Sequence, residues 1–228
     1  MRARDDNRSG AAQSAIIREA MRTDVDTPLF YAAGGSLTEI AAAWLLKPEI
    51  GKRLKLVWIG GNEHSDLAKP PAGRGETEYN LSLDRIAAQV IFNQSDIEIW
   101  QIPRNAFRQM LVTLSELDEL AKSGPLGQYL RDSVVETEKR LAANIPKLIF
   151  TPSETYTLGD TALVTLTALQ SAFQPDTPTS QYSLRPTPIL EADGSYSANP
   201  QGRAMRIYSS IDSNLTWRDF TAKLRLRG

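Results

Sequence analysis

The sequence predicts an α/β fold, a mostly parallel sheet flanked by helices, with a helical carboxyl-terminal part and a late hairpin. Three observations predict it. Short apolar runs at 29–33 (LFYAA), 54–61 (LKLVWIGG) and 97–103 (IEIWQIP) have the length and composition of strands covered on both faces. Between them, apolar residues recur every three to four positions, the period of a helix packed by one face. Turn formers close each run: GGS after the first, GGN after the second, Pro103 after the third. Strands and amphipathic helices alternating in this way form right-handed crossovers, so the sheet is parallel and Rossmann-like.

Taken in order, MRARDDNRSG (1–10) reads as a disordered tail, and 11–22 as a helix carrying Ile16, Ile17, Ala20 and Met21. The first strand ends at the GGS turn. Ser36 with Glu39 three residues later reads as a capping box, opening a helix with Leu37, Ile40, Ala41, Trp44 and Leu45 inside and Pro48 at its end. The second strand runs into Gly60 and Gly61. A helix is predicted over 83–93, with Leu83, Ile86, Ala87, Val90 and Ile91 on one face, so that Glu78, Tyr79 and Asn80 lie just before it. After the third strand, Ser115 with Asp118 starts a short helix. Gly124 and Pro125 separate that helix from a longer one reaching about Ala143, and a further helix begins at Asp160. Residues 174–204 are rich in Pro, Ser and Thr, with EADGSY carrying the Asp-Gly signal of a hairpin. MRIYSSI (205–211) is a late strand, and a helix around Trp217 to Leu226 closes the chain. There are no internal repeats, and residues 1–228 read as a single domain.

Composition narrows the function classes. Lys and Arg number 26 against 27 Asp and Glu, scattered along 228 residues, which is no footprint for a nucleic-acid partner. The basic ending KLRLRG reads as a solvated helix end. With no cysteine, thiolate metal sites and a cysteine nucleophile are excluded. No apolar run reaches the roughly 20 residues of a membrane span and no secretory leader is visible, so a cytoplasmic protein is expected.

Ligands of open parallel sheets bind beyond the carboxyl ends of the strands, where loops converge. That rule gathers Gly34, Gly35 and Ser36, then Gly60, Gly61 and Asn62, then Glu78 and Asn80, then Pro103 and Asn105, with Asp160 as a further carboxylate. Such a rim suits a polyol or small polar ligand. Each residue also has a structural reading: the glycines as turn formers, Asp160 as a helix N-cap, and Glu78 and Asn80 as capping, turn chemistry or loop solvation; His64, the only histidine, lies in a polar loop, where a ligand or base role is the lesser reading.

The run LFYAAGGSLTEIAAAWLLKPEIGKRLKLVWIGG, then ETEYNLSLDRIAAQVIF, IEIWQIP, TYTLGDTALV and GRAMRIYSSIDSNLTWRDFTAKL resembles the inosine/uridine-preferring nucleoside hydrolase family over about residues 11–226. The resemblance implies hydrolysis of the N-glycosidic bond of a ribonucleoside by a water activated on Ca²⁺. Glu78 and Asn80 would hydrogen-bond the ribose hydroxyls, Ile59 would line the sugar site, and Asp160 and the Gly34 carbonyl would bind the metal. Two features depart from the family pattern. The opening Asp-x-Asp-x-x-x-Asp-Asp segment has no counterpart, so no catalytic base is identified, and Gly159 stands where many members carry a histidine. Ca²⁺ takes about six to eight oxygens, and two are in view. The domain is therefore expected to be incomplete at its amino-terminal side, with an unpaired apolar sheet edge. The alternative is a noncatalytic nucleoside- or sugar-binding module. A homo-oligomer is compatible with either.

Overall fold

The computed structural model describes residues 6–72, 77–144, 153–169 and 179–227. Its helices are Asp6–Ala20 (α1), Thr38–Leu46 (α2), Tyr79–Leu83 (α3), Arg85–Gln89 (α4), Arg104–Phe107 (α5), Leu114–Ala121 (α6), Pro125–Asn144 (α7), Thr161–Ala168 (α8) and Ser213–Arg227 (α9). The strands are Leu29–Ala33 (β1), Leu54–Ile59 (β2), Glu98–Ile102 (β3), Leu111–Thr113 (β4), Thr155–Thr157 (β5), Gln181–Pro186 (β6), Ile189–Leu190 (β7), Tyr196–Ser197 (β8) and Ala204–Ser210 (β9). The main sheet has the order β1-β2-β3-β9-β6, parallel from β1 to β9 with β6 antiparallel at the far edge. This is the predicted α/β architecture. β4 with β5, and β7 with β8, make two small antiparallel ladders, the second being the predicted hairpin around Gly194.

Alternation along β2 sends its residues into two cores. Leu54, Leu56 and Trp58 face α1, α2 and α4, whereas Val57 and Ile59 face Ala106 of α5 and Ala162 and Leu166 of α8. A third cluster joins Leu117 and Leu120 of α6 to Val134 of α7 and Leu224 of α9. β1 has a neighbour on one side only among the described residues, and Phe30 is 37% exposed. The expected apolar edge is therefore present.

Several local expectations need correction. α1 starts at Asp6, so residues 6–10 of the expected tail are helical, while 1–5 lie outside the described residues. The Ser36–Glu39 box does not form. α2 starts later, with Leu37 at its N-cap; Ser36 bonds Thr38 and Glu39 accepts from Gln13 of α1. Leu45, at the open end of α2, is exposed rather than inside. The helix predicted from Leu83 starts at Tyr79 and is interrupted at Asp84, whose carboxylate caps Ala87 N–H and accepts from Thr38; it then ends in a π turn over Val90–Gln94. The capping box of α6 uses Thr113 and Glu116 rather than Ser115 and Asp118. β6 lies in the Pro/Ser/Thr-rich stretch and gave no apolar signal, because an edge strand needs little burial. No helix of the described residues is long and apolar enough to cross a membrane.

The end of that π turn is held by a half-buried cation. Arg203 donates to the carbonyls of Ile91 (2.7 Å), Phe92 (2.9 Å) and Ile97 (2.6 Å). Burial depresses its guanidinium to about 10. Leaving those carbonyls unmatched should cost about 3 kcal/mol or more, so Arg203→Ala is expected to lower the urea midpoint of unfolding with the slope unchanged.

Candidate functional site

β2 ends at Ile59, and the chain turns through Gly60 and Gly61. Gly61 has φ +88°, and a methyl there would stand 2.3 Å from Gln101 Nε2 and 2.5 Å from the Tyr196 hydroxyl, so only glycine fits. Its N–H donates to Glu78 Oε2 at 2.8 Å. The same oxygen accepts from Leu81 N–H (3.1 Å), and Oε1 accepts from Asn80 N–H (3.0 Å), making Glu78 the N-cap of α3. Glu78 is 2% exposed. Burial raises its carboxyl above the ordinary range, against the lowering effect of the three N–H groups and of Arg104. The Glu78 N–H is itself held by Asn62 Oδ1 at 2.7 Å.

Asn80, half-buried, donates from Nδ2 to the Ile59 carbonyl at 2.9 Å. Its Oδ1 has no partner among the described residues and can accept from a ligand. Ile59 itself turns its side chain into the core, 3% exposed, so what it presents at the rim is a carbonyl already occupied by Asn80. Tyr79 is exposed.

Asp160 precedes α8 at the N-cap position but makes no capping hydrogen bond, so its carboxylate is not consumed by the helix. It faces Gly34 instead, where a methyl would stand 3.3 Å from Asp160 Cγ and Oδ2. Partial burial raises the Asp160 carboxyl, with no cation set against it. Ala33 pairs with Trp58, which puts Gly34 one step further along, beside Ile59, and the Trp58 indole N–H fastens the Gly35 carbonyl at 2.9 Å. The predicted residues Gly34, Ile59, Glu78, Asn80 and Asp160 thus gather at the carboxyl ends of β1 and β2. At Gly159 a methyl would stand 3.0 Å from Phe107, so a larger side chain would have to displace that ring.

Sequence reasoning missed the support of this rim. Glu63 and Arg104 form a buried two-pronged pair at 2.7 and 2.6 Å. Burial pushes the Glu63 carboxyl up, but Arg104 and the local backbone more than offset it and leave it lowered. His64 is buried, bonded through Nε2 to Gln101 Oε1 at 2.9 Å and stacked on Tyr196 at 4.6 Å. Burial is the main cause of its depressed imidazole. His64 lines a cavity of about 980 Å³ shared with Asp66, Arg185 and Tyr196; Gly34, Glu78, Asn80 and Asp160 are not part of its wall.

The rim does not fit Ca²⁺ by itself. Among the described residues no three of His, Cys, Asp and Glu stand close enough to share a metal ion, and Asp160 with the Gly34 carbonyl leaves a hard cation short of most of its oxygens.

Residues 2–184 match the model of the inosine-uridine preferring nucleoside hydrolase family. The fold is similar to that of an inosine-uridine preferring nucleoside hydrolase from Bacillus anthracis, with TM-score 0.60 and 18% identity over 95% of this chain and 66% of that one. A plant nucleoside hydrolase gives TM-score 0.68 and 17% identity over 94% and 66%. A purine-preferring ribonucleoside hydrolase from Gardnerella vaginalis gives 0.64 and 22% over 94% and 65%. The chain therefore spans about two thirds of the length of these solved structures. None of the curated proteins matches it significantly.

Two outcomes are expected. Glu78→Gln puts an amide N–H₂ against at least one of the three N–H donors, so it should lower stability by about 1–3 kcal/mol in urea melts. The lone histidine gives a single imidazole NMR signal, and its midpoint should fall below 6.5. Because the folded value is the lower one, the stability linked to His64 is full above 6.5 and drains as pH falls through the folded value. A midpoint at or above 6.5 would contradict the buried, neutral ring.

Proposed function

This chain belongs to the inosine-uridine preferring nucleoside hydrolase family, and from that premise we propose that its β1–β2 rim binds the ribose of a ribonucleoside. The rim serves as one part of a site that hydrolyses the N-glycosidic bond. One observation carries the reading: an uncapped Asp160 carboxylate lies against Gly34 just beyond β1, and at the end of the neighbouring β2 an Asn80 side chain is pinned on the Ile59 carbonyl with its own oxygen unused. A ribose hydroxyl can donate to that oxygen, and a second to Glu78 Oε1, which carries a single N–H. The peptide at Gly34 has no side chain to keep a sugar away.

Cleavage of an N-glycosidic bond builds positive charge on the sugar, and an unpaired carboxylate at the rim favours that charge. Asp160 takes this role, and with the Gly34 carbonyl it is also what the chain offers to Ca²⁺. No step is assigned to a metal-bound water, since the remaining oxygens are not among the described residues. That shortage favours a second reading, a metal-independent nucleoside- or sugar-binding module. The two readings differ in chemistry at one ribose site.

Calorimetry with ribose, inosine and uridine, paired with chromatography for released base with and without Ca²⁺, separates them. Ribose-dependent binding is expected, weakened about tenfold or more by Asn80→Ala. Asp160→Asn is expected to leave binding within a few-fold and to abolish any base release. Binding without release under either condition selects the module. A folded chain that binds neither ribose nor nucleoside ends both.

A further inference from the structure

Glu78 is fixed by its own helix, and also from the far end of the sequence. Asn62 accepts the Glu78 N–H on Oδ1 (2.7 Å) and donates from Nδ2 to the Gly194 carbonyl in the β7–β8 hairpin (2.9 Å). Gly194 has φ +91°, and a methyl there would stand 3.0 Å from Thr77 Cγ2, so the hairpin turn sits directly on the residue before Glu78. Thr77 Oγ1 donates to the Asp193 carbonyl at 3.2 Å. The hairpin's other end is anchored independently: Leu190 exchanges hydrogen bonds with Asn93 at 2.9 and 3.0 Å and receives one from Gln89 at 3.1 Å. A turn held at one end by α4 and its π extension thus presses, through one asparagine, on the backbone that aims the buried carboxylate.

We infer that Asn62 is a positioning residue that couples the late hairpin to Glu78 and sets the orientation in which Glu78 and Asn80 meet a ribose. The inference rests on the ribose reading only for its last clause. Asn62 touches no substrate in this account. It acts by holding the peptide that joins Thr77 to Glu78, so that Gly61, Asn80 and Leu81 all reach the carboxylate together. When the pin is lost, that peptide relaxes, water reaches Oε1 and Oε2, and the Asn80 side chain loses its fixed approach to Ile59. The carboxylate then senses bulk solvent more than its present neighbours, which are the three N–H groups and the Arg104 cation.

The test follows the Glu78 side-chain carboxyl by carbon-13 NMR across pH and measures ribose affinity by calorimetry, in the 228-residue chain and in two variants. Asn62→Ala is expected to move the Glu78 midpoint down toward the usual carboxylate range and to weaken ribose about tenfold, with the circular dichroism spectrum unchanged. Asn62→Asp keeps the acceptor for the Glu78 N–H but sets a carboxylate oxygen against the Gly194 carbonyl, so it should recover only part of the affinity. Should Asn62→Ala fail to fold, Gly194→Ala loads the same contact from the hairpin side and should shift the Glu78 midpoint in the same direction. A Glu78 midpoint and affinity that ignore both lesions overturn the inference. A midpoint that moves in a chain that binds no ribose keeps the coupling and removes the ribose reading.

Discussion

One carboxylate facing three backbone N–H groups holds the rim together. Glu78 bridges the exit of β2, at Gly61, to the first turn of α3, at Asn80 and Leu81. Hydrogen bonds to a charged acceptor are each worth about 1.5–3 kcal/mol, and several are needed to offset taking a carboxylate out of water. Burial outweighs them, since the Glu78 carboxyl is raised despite its three N–H donors. From that anchor the rest follows. With Glu78 fixed, Asn80 has one place to go, its Nδ2 on the Ile59 carbonyl, and its Oδ1 is left as a preorganised acceptor.

The main strands were legible in the sequence because burial on both faces demands continuous apolar runs, and β1, β2 and β3 are such runs. β6 was not, since Gln181–Pro186 has one neighbour and mixed exposure and its residues carry no period. The helix from Leu83 was misplaced by one turn. Its start is fixed by Glu78 reaching back to Gly61, a contact across 17 residues that no local pattern records. Glu78 and Asn80 therefore divide the work: the Glu78 carboxylate caps its own helix, and the side-chain oxygen left over on Asn80 is the acceptor the rim can offer. Asp160 is the reverse case. Its residue type and position favoured a cap, yet the helix leaves its carboxylate free. Of the supports, Asn62 follows the Gly60-Gly61 turn and falls on the rim by position, whereas Arg104 and Tyr196 act through long-range contacts and left no local signal.

Two shortfalls meet on one strand. β1 is apolar along its five residues, carries no charge or proline to blunt it, and has a single neighbour among the described residues. Among the described residues, the rim at its carboxyl end, where Gly34 meets Asp160, offers a single carboxylate and no cluster of three metal-ligating side chains, fewer than a hard cation takes. Both shortfalls lie on the same side of the sheet. On the opposite side β9 and β6 continue the sheet, and the hairpin is clamped on α4 and its π extension. Among the described residues, the rim thus has its hydrogen-bonded supports around Glu78 and Asn80 intact and one carboxylate, Asp160, beside Gly34.

The most direct measurement of the ribose claim is a map of amide resonances in the nitrogen-15-labelled chain as D-ribose is added. Shifts concentrated at Gly34, Gly61, Asn80 and Thr161, saturating together, are the predicted result. Shifts confined to the cavity walls at Ser65, Asp66, Arg185 and Asn199, with the rim silent, would contradict it.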